Sequence, residues 1–110
     1  MGREQLLERK REWLRRLKEE RLRDPTEDHR IALKAMQNRV RQEMLRYVGS
    51  VGKASFEEVA QRFGLDSFQA KIHLDLLEQA LFIEAVEEGG KRVYVLTPRG
   101  EAYLKNVDWR

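Results

Sequence analysis

Residues 55–83 read SFEEVAQRFGLDSFQAKIHLDLLEQALFI, and this stretch decides the fold. Ser55 and Glu58 form the S-x-x-E capping box, in which the serine oxygen accepts the third helical amide and the carboxylate reaches back to the serine amide. A helix therefore starts at Phe56, with Phe56, Val59, Ala60 and Phe63 at helical spacing. Gly64 ends it, because glycine adopts the left-handed conformation at no steric cost. Asp66 is the N-cap expected of a second helix, along which Ala70, Leu74, Leu77 and Leu81 recur in steps of four, three and four residues. That stripe is predicted to face a core.

Helix, glycine turn, helix and a following hairpin is the order of a winged helix-turn-helix. Gly64-Leu65-Asp66-Ser67, His73-Leu74 and Leu77-Glu78-Gln79-Ala80-Leu81-Phe82-Ile83 resemble the recognition-helix region of ArsR-like and MarR-like winged-helix regulators. The likeness spans roughly residues 32–104. It implies a mainly α fold with a small β-hairpin wing (α+β) and a DNA-binding transcriptional regulator, with no enzymatic activity. Leu96-Thr97-Pro98-Arg99-Gly100 likewise resembles the wing-to-helix junction of MarR-like and PadR-like regulators.

Upstream, residues 3–23 contain neither Gly nor Pro and carry nine basic and five acidic residues around Leu6, Leu7, Trp13, Leu14, Leu17 and Leu22. This is a helix former with a narrow apolar stripe. Such a stripe suits contact with one other helix, as in a dimer arm. Two alternatives stand beside it: a solvated helix whose leucines pack on its own domain, and a basic arm using Arg9, Lys10, Arg11, Arg15 and Arg16 to bind nucleic acid without sequence choice. Asp24-Pro25-Thr26-Glu27 is a joint, with Asp24 as cap and Pro25 at the first helical position. The organisation expected is a charged helical arm over 1–24 and a winged helix-turn-helix domain with a C-terminal helix over 25–110.

Past the joint, Ile31, Leu33, Met36, Val40, Met44, Leu45 and Val48 are expected to face the core. The segment Leu33-Lys34-Ala35-Met36-Gln37-Asn38-Arg39-Val40-Arg41 resembles the place where ArsR-like proteins end one helix at asparagine and begin the next with proline. Arg39 stands at the proline position, so a break at Asn38 and a continuous helix both remain open. Gly49-Ser50-Val51-Gly52 is expected to end the helix, and Lys53-Ala54 to form a short first strand. Residues 83–86 and 92–96 have strand composition, and Gly89-Gly90 lies in the turn between them. Thr97 and Pro98 open a last helix carrying Ala102, Tyr103, Leu104 and Trp109.

Composition narrows the function classes. The 110 residues suffice for one small domain plus an arm, and 37% are charged. There is no cysteine, which excludes disulfides and thiolate metal sensing. No apolar run approaches the ~20 residues of a membrane span, so a cytoplasmic protein without membrane contact is expected. The two histidines, His29 and His73, have no neighbours at triad spacing. His73 is expected to be structural, His29 with Asp28 falls short of a metal set, and no cofactor or metal is expected. The net charge of +3 is uneven: residues 1–48 hold 14 Lys/Arg against 9 Asp/Glu, and residues 49–110 hold 8 against 10.

The candidate interface with double-stranded DNA follows from a helical wheel. With Ala70, Leu74 and Leu77 inward, Phe68, Lys71, Ile72 and Asp75 point outward, flanked by Ser67 and Gln69. Gln69 can pair bidentately with adenine, Lys71 can reach guanine or phosphate, and Phe68 can touch a thymine methyl. Further cations are expected from Arg39, Arg41, Lys53, Lys91 and Arg92, with Arg92 as the wing's minor-groove residue. A homodimer is expected through Leu7, Leu14, Leu17, Tyr103, Leu104 and Trp109. The competing expectation is a protein-docking module, since Phe68, Ile72 and Leu76 make an apolar ridge and Asp75 repels phosphate.

Overall fold

The computed structural model describes residues 3–19 and 25–106; for residues 3–6 and 16–19 only the helical backbone is described. The joint at Asp24 and the terminal Trp109 lie outside the described residues, and so does the side chain of Leu17. The described chain forms α1 (Arg3–Glu19), α2 (Pro25–Met36), α3 (Arg39–Val51), β1 (Lys53–Ser55), α4 (Phe56–Arg62), α5 (Ser67–Gln79), β2 (Ile83–Glu88), β3 (Lys91–Leu96) and α6 (Pro98–Asn106). The strands make one antiparallel sheet in the order β1-β3-β2.

The chain breaks between α2 and α3. Asn38 has extended backbone and its side-chain oxygen accepts from the Arg41 amide at 3.1 Å, so it is the N-cap of α3. Gln42 adds a bond from Nε2 to the Met36 carbonyl at 2.6 Å, which satisfies one of the acceptors left over at the end of α2. Asparagine can start a helix by this means without the proline. At its other end α3 runs through Gly49 and Ser50 to Val51 and is capped by Gly52, within the stretch expected to end it.

On α3 the inward positions are Arg41, Met44, Leu45 and Val48, spaced three, one and three residues apart. Met44, Leu45 and Val48 are completely buried, and Val59 of α4 and Leu74 and Leu77 of α5 close over them. Ile83 and Tyr94 seal the sheet side at 1% exposure. Leu33, expected in the core, is 50% exposed, because Ala35 and Met36 take the inward positions of α2.

The wing is tighter than composition suggested. Glu87 and Glu88 belong to β2 and Lys91 to β3, which leaves only Gly89 and Gly90 in the turn. Their φ values of 58° and 78° give the two successive left-handed residues that match hairpin twist. Thr97 joins the wing to α6: its buried hydroxyl donates to the Leu81 carbonyl and accepts the Gly100 amide at 3.1 Å. Arg99 then ties α6 to Asp28 of α2 at 3.1 Å and to the Ala80 carbonyl at 3.0 Å. Asp28 is thus an ion-pair partner of Arg99, and among the described residues no cluster of three or more metal-ligating side chains exists.

Candidate nucleic-acid interface

Two capping boxes set the helix-turn-helix. Ser55 Oγ accepts the Glu58 amide at 3.1 Å and Glu58 accepts the Ser55 amide at 2.8 Å. These bonds hold the Glu58 carboxyl below its usual pKa. The turn closes with the Leu65 amide on the Ala60 carbonyl at 2.9 Å, and Gly64 supplies the left-handed residue at φ 61°. Asp66 then caps α5 by accepting the Gln69 amide at 2.8 Å, and Gln69 Oε1 accepts the Asp66 amide at 3.2 Å. The Gln69 oxygen expected to contact adenine is already engaged in this box, and reading a base would compete with it.

The inner face of α5 is Ala70, Leu74 and Leu77, all fully buried. Leu81 does not continue that stripe. The helix ends at Gln79, and Leu81 takes a left-handed conformation at φ 65°, where its amide bonds to the Glu78 carbonyl.

Arg41 is the main correction to the expected site. Only 9% exposed, it donates from Nε to the Ala35 carbonyl at 2.7 Å, from Nη2 to the Lys34 carbonyl at 3.2 Å and from Nη1 to His73 Nδ1 at 3.0 Å. It therefore binds the end of α2 to α5 and is not available to a phosphate. His73 accepts through Nδ1, which places its proton on Nε2, and desolvation together with Arg41 pushes its pKa down. The structural role expected of His73 is the one it has.

The outer face of α5 is open. Phe68 is 75% exposed and Ile72 44%, with Ser67, Gln69 and Lys71 also exposed. Lys71 Nζ pairs with Asp75 at 2.8 Å, and that carboxylate raises the amine's pKa. Arg92 of β3, one residue from the hairpin turn, lies close enough to Lys71 and Glu78 to act on both electrostatically, so the tip end of the wing and the outer face of α5 form one surface. Arg92 itself is held by Tyr94 and attracted by Glu78 and Glu87. Lys91 is exposed at the wing tip.

Two further candidates are committed to nearby carboxylates. Lys53 Nζ lies 2.7 Å from Glu88, a bond that pins β1 to the far strand of the wing. Arg39, with an 83% exposed side chain, sits 3.7 Å from Glu43. Exposed pairs of this kind are weak, about 0–1 kcal/mol, so a phosphate can displace the carboxylate.

Of the expected dimer residues, Leu7 and Leu14 on α1 are 51% and 48% exposed. Tyr103 and Leu104 pack instead on their own domain's core, with the Tyr103 ring 5.2 Å from that of Phe82. Those two side chains hold the short helix α6 against α3 and the end of β3.

No protein-family model matches the chain. No curated protein matches it in sequence. Solved structures do resemble it. The homodimeric winged helix-turn-helix DNA-binding domain of Mb0332 from Mycobacterium bovis, described as a possible ArsR-family transcriptional regulator, superposes with a TM-score of 0.65, at 24% identity over 72% of each chain. Reduced HlyU from Vibrio cholerae gives 0.63 at 22% identity, over 73% of this chain and 84% of its own. The transcriptional repressor PagR of Bacillus anthracis gives 0.64 at 18%, over 76% and 95%. At such low identities the shared property is architecture, and by its architecture this protein is a winged helix-turn-helix.

Proposed function

We propose that the protein is a DNA-binding transcriptional regulator of the ArsR-like kind that acts as a homodimer. The observation carrying this reading is the outer face of α5. Its inner side is wholly buried and its N-terminal half stands free beside Arg92 of the wing, the arrangement with which this fold enters a major groove. The neighbouring structures support it, since one is described as a homodimeric DNA-binding domain and another as a transcriptional repressor.

In the proposed complex Ser67, Phe68, Lys71 and Ile72 face base edges, and Lys91 and Arg92 meet the flanking backbone. Arg39 and Lys53 exchange their carboxylate partners for phosphates. Two copies would present their α5 helices about one helical turn of DNA apart. The segment 1–24, through Leu7 and Leu14, is proposed to contribute to the dimer contact. Among the described residues no helix is long and apolar enough to cross a membrane.

Fluorescence-anisotropy titration with duplex DNA at low and moderate salt tests the proposal. Binding should weaken steeply with salt, and Lys71→Glu with Arg92→Glu should lower affinity by about tenfold or more. Binding indifferent to both substitutions overturns the reading.

One observation favours a second reading. A phenylalanine three-quarters exposed beside an exposed isoleucine is apolar surface that a protein partner would cover, and Asp75 on the same face opposes phosphate. On that reading Phe68→Ala with Ile72→Ala abolishes partner binding, and DNA affinity is absent from the start.

A further inference from the structure

Arg9 of α1 donates from Nη2 to the Leu96 carbonyl at 3.1 Å and lies 3.6 Å from the Glu84 carboxylate. That anchor holds α1 over the base of the wing and the side of α6 without closing the space between them. A cleft of about 430 Å³ remains, within the ~300–1,000 Å³ typical of small-molecule sites. Its walls are mostly apolar: Leu7 and Trp13 from α1 face Leu96, Pro98 and Ala102. Trp13 is half-buried there.

The charges around the cleft do not balance. Arg9 and Glu84 face each other. That leaves Lys10 on α1 and Lys105 on α6 against a single carboxylate, Glu101, and neither lysine has an ion-pair partner among the described residues. An apolar slot with a surplus cation fits a small molecule of matching character, with a hydrocarbon body and one negative charge.

We propose that this cleft is a binding site for a small apolar carboxylate. The hydrocarbon part lies against Trp13, Leu96 and Ala102, and the carboxylate is held by Lys10 and Lys105. Because the two lysines come from different helices, the bound molecule bridges α1 and α6 and fastens α1 to the body of the protein. The site is separate from the outer face of α5, so it stands or falls independently of DNA reading.

The chain has two tryptophans, and a Trp109→Phe background leaves Trp13 as the only one. Fluorescence excited at 295 nm is followed in that full-length protein during titration with cyclohexylacetate and with its uncharged counterpart 2-cyclohexylethanol. Cyclohexylacetate should give a saturable change with a dissociation constant below about 1 mM, and the alcohol should bind at least about tenfold more weakly. Lys10→Gln with Lys105→Gln should erase that preference. Ala102→Phe, which fills the cleft from the exposed side of α6, should abolish binding of both compounds while circular dichroism shows the helices unchanged. No saturable change with either compound overturns the site. Equal binding of acid and alcohol, insensitive to the lysine substitutions, overturns the carboxylate assignment, and binding that survives Ala102→Phe places the ligand elsewhere and overturns the cleft.

Discussion

The two sides of α5 obey different rules. Inward, Ala70, Leu74 and Leu77 are completely excluded from water and His73 is fastened to Arg41, so every inward position is determined by packing or hydrogen bonding. Outward, Phe68, Lys71, Ile72 and Asp75 meet solvent and one another, and the fold places almost no demand on them. The inward residues therefore report how the helix is held. The outward residues report what it meets, and Phe68 is informative because it stands beside the exposed Ile72 as an apolar patch and not as a single scattered side chain.

That division can be broken in measurable ways. Leu74→Ala should be the most damaging change, lowering unfolding free energy by roughly 2–5 kcal/mol in chemical denaturation, since it opens a cavity in the fully buried core. A loss below about 1 kcal/mol would mean that the inner face is not a packed one.

Arg41→Met comes next. It keeps the apolar stem but removes the guanidinium donor from the Ala35 carbonyl and His73 and one of two donors from the Lys34 carbonyl, at a cost of about 2–3 kcal/mol. If Arg41 instead served as a phosphate contact, the same substitution would weaken DNA binding and leave the melting temperature unchanged.

The third test uses acidity. Because burial and Arg41 hold His73 below its usual pKa, the unfolded chain takes up this proton first as pH falls under about 6.5. The stabilisation associated with neutral His73 is thus complete above that pH and is lost as pH falls toward the lower value of the folded state. In thermal melts between pH 7.5 and 5, His73→Gln, whose amide oxygen can still accept from Arg41, should show a shallower decline than the parent. Parallel profiles would mean that His73 is not part of the clamp.

The smallest effect is expected on the outer side. Phe68→Ser should change stability by no more than about 0.5 kcal/mol while altering binding to DNA or to a protein partner. A larger loss of stability would show the outer face to be structural and remove the contrast between the two sides.

Local chemistry was legible from residue types alone. The two helix starts, their serine and aspartate caps and the glycine turn each depend on contacts within a few residues and form where spacing indicated, while the hairpin forms in the expected place with longer strands and a shorter turn. What escaped depended on partners remote in sequence. Arginine by type predicts a surface cation, although Arg41 lies three residues before Met44 and four before Leu45, on the same inward stripe. That spacing was the available signal. The second half of the α5 capping box is also present in the sequence as Gln69, three residues after Asp66, a position where a base contact and a cap call for the same side chain. Whether Tyr103 and Leu104 meet a partner or their own core depends on how α6 packs against α3 and β3, contacts remote in sequence.

The sheet order carries a last consequence. With β3 in the middle, β2 is left as a six-residue edge whose outer backbone groups have no strand beside them, the kind of border along which chains stick together irreversibly. Glu84, Glu87 and Glu88 lie along that border and would repel the same border of another molecule. Those carboxylates thereby help keep a crowded population of these molecules from fusing into a continuous sheet.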